Sequence, residues 1–299
     1  MKRILKILIY SSIIALLVYL YNIDFLVFRD INLNYYYLII SIVLLFSGFL
    51  FSAISWKVAL KLHGVNISKR MAIVSHGLPV FTKYIPGRIW TIIGRAGMVK
   101  EGNLSMKKLS FISLKEQLVY LCLGFIISIY PILRTEKIKE YSLVILLFTF
   151  FMFFSLFSKS LQKWLEKIWN RLFKKEINLP VINIKEFFEL TWFILFYWLL
   201  WTFGFYFLLL SVFETVPIYY AFAFPLSISL GLVSLIFPGG IGIREGVITL
   251  FLISNGVSPE LAISFSLLSR LWFLIGEVAM FFTALVLKRK IVTNQCYLN

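Results

Sequence analysis

Apolar positions in this chain fall into long unbroken runs, at about 4 to 21, 35 to 60, 109 to 133, 141 to 157, 187 to 212 and 260 to 287. A helix needs roughly 20 such residues to cross the hydrocarbon core of a bilayer, so each run predicts a spanning helix. Two further apolar stretches, about 71 to 99 and 218 to 254, are each interrupted by a proline-glycine segment. They predict broken, re-entrant hairpins, because backbone freed at a break is tolerated at membrane depth only inside protein or against a polar cavity. The pattern as a whole reads as an all-α integral membrane protein forming a single membrane domain over residues 1–299, with about six full spans and two hairpins. Two hairpins entering from opposite faces are what an approximate inverted repeat would give.

Between the fourth and fifth runs the period changes. Leu161, Trp164, Leu165, Ile168, Trp169, Leu172 and Phe173 recur at steps of three and four, with basic residues opposite. Such spacing predicts an amphipathic helix over about 159 to 176. It would lie on an anionic leaflet, against lipid headgroups, or offer a docking face to a cytoplasmic partner.

Composition agrees with the pattern: 60% of the 299 residues are hydrophobic and the mean hydropathy is +0.89, which leaves too little polar surface to cover a soluble globule. The formal charge of +16 does not point to nucleic acid, since Lys and Arg fall between apolar runs, as cytoplasmic loops require. Lys2, Arg3 and Lys6 place the N-terminus in the cytoplasm, and Lys288, Arg289 and Lys290 place the C-terminus there. Lys61, Lys69 and Arg70 before the first broken stretch, with Lys100, Lys107 and Lys108 after it, put both of its ends on that side. The second broken stretch has no Lys or Arg at its flanks, so its ends read as external. Arg134, Lys137 and Lys139 fit this topology less well. Cys122 and Cys296 have no spacing that suggests a disulfide or a metal site, and no cofactor is expected.

The breaks carry the chemistry. In the first, Pro86 would end one helix and suit the opening turn of the next, while Gly87 lets backbone come close to a ligand. Arg88 and Arg95 are seven residues apart and Lys83 adds a third cation. Guanidinium and ammonium groups beside a helix N-terminus suit a phosphate. The plainer alternative has both arginines reaching to the membrane surface around a simple turn. In the second, Pro238, Gly239, Gly240, Gly242 and Gly246 permit close approach, and Arg244 and Glu245 open the following helix. Glu245 would pair with a cation of the first hairpin or favour its own helix N-terminus. The glycine run is not a nucleotide loop, having no Lys-Ser or Lys-Thr after it.

Arg270 and Glu277, seven apart in the last run, should face the protein interior, because a charge in lipid is costly. Glu116 reads as an interfacial residue, and His63 and His76 as ordinary interface residues rather than ligands or bases.

The segments Lys83-Tyr84-Ile85-Pro86-Gly87-Arg88-Ile89-Trp90 with Arg95, and Phe237-Pro238-Gly239-Gly240-Ile241-Gly242-Ile243-Arg244-Glu245-Gly246, resemble the lysylphosphatidylglycerol synthase transmembrane-region family of flippase-like membrane proteins. The resemblance covers roughly 10 to 285, and the second segment is the more specific. It implies a multi-span fold with re-entrant helices, and in the best understood relatives a domain that moves an aminoacylated phospholipid between leaflets. Other members sit among polysaccharide and glycolipid assembly proteins. No soluble synthase domain follows the last run here, so the expectation is a lipid translocator rather than an enzyme, in the bacterial cytoplasmic membrane. Its substrate would be a phospholipid or a polyprenyl-linked glycan, bound through phosphate. An intramembrane lipid-phosphate transferase, or a scaffold for a cell-envelope glycosyltransferase, are the competing expectations.

Overall fold

The structure is a computed structural model that describes residues 33–85, 89–100, 104–173, 182–234 and 238–296. The run read at 4 to 21 lies outside the described residues, as do Pro86, Gly87 and Arg88 of the first break. Among the described residues all regular structure is helical. Ten α-helices follow in chain order: α1 Tyr35–Leu62, α2 Lys69–Gly77, α3 Ile89–Val99, α4 Met106–Arg134, α5 Ser142–Phe157, α6 Lys159–Phe173, α7 Ile184–Val212, α8 Ala223–Val233, α9 Ile243–Ser254 and α10 Pro259–Cys296.

Five helical segments are long and apolar enough to cross a membrane, namely α1, α4, Lys139–Phe157 (which includes α5), α7 and α10 as far as Arg289. They coincide with five of the apolar runs. Local signals set their ends: the Asn34 side chain accepts the Tyr36 N–H at 3.1 Å to cap α1, and Asn183 accepts the Lys185 N–H at 3.1 Å to cap α7. The predicted amphipathic helix forms as α6; residues 174 to 176 are outside the described set.

α1 and α7 form the principal packed pair. In a membrane the hydrophobic effect does not press helices together, so close backbone approach and interhelical hydrogen bonds must do it. Both occur at this crossing. Ser41 donates its hydroxyl to the Gly204 carbonyl at 2.6 Å, and the Trp201 indole N–H donates to the Leu45 carbonyl at 3.2 Å. A Cβ on Gly48 would lie 2.3 Å from the Trp201 ring, so the absence of a side chain there makes room for the indole. α4 joins through Tyr120, whose ring stacks on Trp198 with centroids 4.6 Å apart. α5 is peripheral and leaves Phe148, Phe150, Phe151 and Phe154 exposed, which suits a face turned to acyl chains.

The two interrupted stretches differ from the long helices in length. α2 and α3 have 9 and 11 residues, α8 and α9 have 11 and 12. At about 1.5 Å per residue none spans the roughly 30 Å of hydrocarbon. Of the described residues between the helices of each pair, Val80–Tyr84 form a 3₁₀ turn in the first interruption and Pro238–Gly240 another in the second. These two turns touch each other, and the first also packs on α10. The breaks therefore meet inside the helical assembly, and their polar groups share one region.

Candidate functional site

At the first break, Thr82 donates its hydroxyl to the Pro79 carbonyl at 2.6 Å, and the Ile85 N–H returns to the Thr82 carbonyl at 3.1 Å. That tight turn sends Lys83 and Tyr84 toward α10. Lys83 forms an ion pair with Glu277, and the Tyr84 hydroxyl donates to the other Glu277 oxygen at 2.8 Å. Glu277 is fully buried. A buried carboxylate is tolerated only with such compensation, so α10 and the first turn are tied by this contact.

Arg95, on α3, is also buried and also matched. Its Nη2 lies 2.6 Å from Glu116 Oε2 on α4, and its guanidinium sits 4.3 Å from the centre of the Trp56 ring on α1. Glu116, read from sequence as interfacial, is 3% exposed. The correction has a simple cause: the turn of α3 against α4 brings Arg95 beside Glu116, and the pair neutralises itself in the interior. A sequence signal was present, since Glu116 is the only carboxylate in the run 109 to 133.

At the second break, Gly239, Gly240 and Gly242 have φ of 61°, 71° and 84°, the left-handed region that a side chain makes costly. The chain can thus turn sharply enough for the Gly242 N–H to donate to Glu245 Oε2 at 2.7 Å, so Glu245 closes the N-terminus of its own helix α9. Its other oxygen lies 3.5 Å from Arg270 Nε on α10, and Arg270 donates through Nη1 to the Gly239 carbonyl at 3.3 Å. Of the two expectations for Glu245, the helix N-terminus is realised; its cation comes from α10, and Lys83 of the first break goes to Glu277. Arg270 and Glu277 do face the interior, each serving a different break.

Arg244 differs from the other three cations. It is 6% exposed, its guanidinium lies 4.5 Å from the Phe273 ring centre and 5.9 Å from that of Phe224. Among the described residues no carboxylate pairs with it, and its Nε, like that of Arg95, is buried without a hydrogen-bond partner. Gly231 on α8 allows this placement: a Cβ there would lie 2.6 Å from Arg244 Cγ.

Arg244 lines a cavity of about 180 Å³ together with Lys83, Gly239 and Arg95. That volume is below the roughly 300 Å³ at which pockets for drug-sized ligands begin, so it suits a small headgroup. Phe49, Phe273, Tyr120, Tyr197 and Trp201 form its aromatic lining, and Ser52, His76, Thr91, Glu116 and Gln117 its remaining polar lining. His76, read as an ordinary interface residue, is at the cavity and lies with Nε2 2.9 Å from Ser52 Oγ. His63 is elsewhere, 3.3 Å from Glu186 and 3.1 Å from Lys115, where α1, α4 and α7 meet. The sum of charges around the breaks is positive, with Lys83, Arg95, Arg244 and Arg270 facing Glu116, Glu245 and Glu277. Among these described groups, an excess cation in a low-dielectric space makes a place for an anion.

Of the residues expected at a binding site, Lys83, Gly239, Arg244 and Arg95 line the cavity, while Glu245, Arg270 and Glu277 form the ion pairs behind it. Pro238, Gly240 and Gly242 shape the turn. Pro86, Gly87 and Arg88 lie outside the described residues. The aromatic lining was missed, because no local motif marks rings contributed by α1, α4, α7 and α10.

With two broken helical pairs meeting at a glycine-rich turn, a family comparison becomes informative. Residues 3–278 match the family model described as the lysylphosphatidylglycerol synthase TM region. The chain belongs to that family. No curated protein and no solved structure matches it. Membership in the lysylphosphatidylglycerol synthase TM family makes the chain a multi-pass membrane protein of a group tied to lipid and envelope synthesis. The matched description is that of the membrane region alone.

Proposed function

We propose that this protein moves a phosphate-bearing lipid between the leaflets of the membrane, holding the phosphate at Arg244. The observation that carries the reading is the buried Arg244 guanidinium, which lines the cavity with no carboxylate partner among the described residues. A guanidinium offers a planar fork of donors matched to phosphate oxygens, and a charge-assisted contact of that kind is among the stronger hydrogen bonds. Lys83, at the same cavity, would add positive potential toward the anion while it stays paired with Glu277. The two short helical pairs, re-entrant in this reading, supply the irregular backbone that substrate sites of membrane transporters place at mid-membrane. Translocation is favoured over phosphate transfer because Glu116, Glu245 and Glu277 are each held by a cation or a backbone N–H, which leaves none of them placed as a general base.

The test is leaflet exchange in proteoliposomes carrying fluorescently labelled phosphatidylglycerol or farnesyl phosphate, with the label in the outer leaflet destroyed chemically. The wild-type protein should expose inner-leaflet label, and Arg244→Met should not. Equal exchange by both proteins would remove Arg244 from the mechanism.

A further inference from the structure

We infer that the phosphate bound at Arg244 carries a neutral, hydroxyl-rich group, a glycosyl or polyol unit, which lies along the aromatic side of the cavity toward Gln117 and Glu116. The inference rests on the phosphate reading above and adds what the rest of the headgroup must be.

The cavity has two polar ends joined by rings. At one end Arg244 stands over Phe273. From there the rings follow in contact: Phe273 to Trp201 at 5.4 Å between centroids, Trp201 to Tyr197 at 5.1 Å, and Tyr197 to Tyr120 at 5.7 Å. At the other end lie Gln117 and the Arg95–Glu116 pair. Gln117 makes no hydrogen bond among the described residues, and neither does the Tyr197 hydroxyl.

Three kinds of group could follow the phosphate, and charge and hydrogen bonding separate them. An acyl chain would suit the rings, but it would leave the Gln117 amide and the Tyr197 hydroxyl buried without partners, a penalty that burial makes severe. A cationic headgroup would suit the rings too, since aromatic faces attract cations. It would then need a carboxylate, and the only one lining the cavity, Glu116, is committed to Arg95 at 2.6 Å. With Lys83 held by Glu277 and Arg95 by Glu116, the charge left over at the lining is the positive one of Arg244, so the described lining offers no spare carboxylate to a further positive charge. A sugar or polyol satisfies both demands. Its C–H face packs on aromatic rings, and its hydroxyls both donate and accept, matching an amide, a phenol and a carboxylate.

Isothermal titration of the full-length protein in detergent separates the cases with four probes: farnesyl phosphate, farnesyl phosphoryl-hexose, phosphatidylglycerol and lysyl-phosphatidylglycerol. The hexose should tighten binding over farnesyl phosphate by about tenfold, as two net hydrogen bonds would. Tyr197→Phe and Gln117→Leu should remove that increment, so that each variant binds the two farnesyl lipids alike, with wild-type thermal unfolding as the control for folding. Arg244→Met should weaken every probe. Equal binding of the two farnesyl lipids by the wild-type protein, or tighter binding of lysyl-phosphatidylglycerol than of phosphatidylglycerol, overturns the sugar inference and leaves the phosphate reading standing if Arg244→Met still weakens binding. Binding that ignores Arg244→Met, or no binding of any phosphate lipid, overturns the phosphate reading and the sugar inference with it.

Discussion

In their described residues the two breaks share a design and differ in one charge. At the first, Lys83 is met by Glu277 from α10, and Arg95, on the helix that follows, is met by Glu116 from α4. At the second, Arg270 and Glu245 form an ion pair at 3.5 Å and each also bonds backbone, while Arg244 rests on Phe273 with no carboxylate pair among the described residues. A buried ion pair gives little net stability but locks geometry, because removing either member strands the other. Among the described residues the cations of the first break are thus paired, and at the second the positive charge of Arg244 is the one the proposed function assigns to a lipid phosphate.

That contrast predicts how the two regions respond to substitution. The largest effect belongs to the first break. Glu116→Gln leaves Arg95 buried and uncompensated and should lower stability by about 3–5 kcal/mol in chemical unfolding, with much of the loss restored by combining it with Arg95→Met. Arg244→Met, at the second break, removes a charge that no carboxylate pairs with among the described residues. It should change unfolding free energy by about 1 kcal/mol or less, while weakening a phosphate lipid by about 2–3 kcal/mol, near a hundredfold. Should Arg244→Met destabilise the fold as much as Glu116→Gln, the distinction between the two breaks fails.

Two glycine substitutions sharpen the comparison further. Gly231→Ala places a Cβ 2.6 Å from Arg244 Cγ and should cost about 1–2 kcal/mol of stability through overpacking, with phosphate binding reduced as the guanidinium is displaced. Gly242→Ala meets open space but must hold φ at +84°, so it should cost about 1 kcal/mol and leave binding nearly unaltered. If both alanines weaken binding alike, placement of Arg244 by Gly231 is not what matters.

The sequence made the long helices legible because hydrocarbon thickness demands a length, and α1, α4, α7 and the spanning part of α10, as far as Arg289, match their apolar runs to within a few residues. It also marked both breaks, since Pro and Gly have few other reasons to interrupt such runs. What it did not reveal was which cation meets which carboxylate. Lys83 and Glu277 are 194 residues apart, and Arg95 and Glu116 are 21 apart on different helices. The cations Lys83, Arg88 and Arg95, grouped from sequence at the first break, are therefore not alike where they are described: Lys83 meets Glu277 and Arg95 meets Glu116. Arg270 and Glu277 share a helix face and are buried as expected, yet each serves a partner on a different break. The rings of Tyr120, Tyr197 and Trp201 looked like ordinary membrane aromatics until tertiary packing gathered them at one cavity.

The central claim is that Arg244 is the cation left open for a lipid phosphate. Native mass spectrometry of the intact protein, extracted from membranes with its bound lipids, addresses it directly. The account predicts that phosphate-bearing lipid stays on the wild-type protein and is lost from Arg244→Met, whose fold is intact by thermal unfolding. Undiminished phosphate lipid on the folded Arg244→Met protein would contradict it.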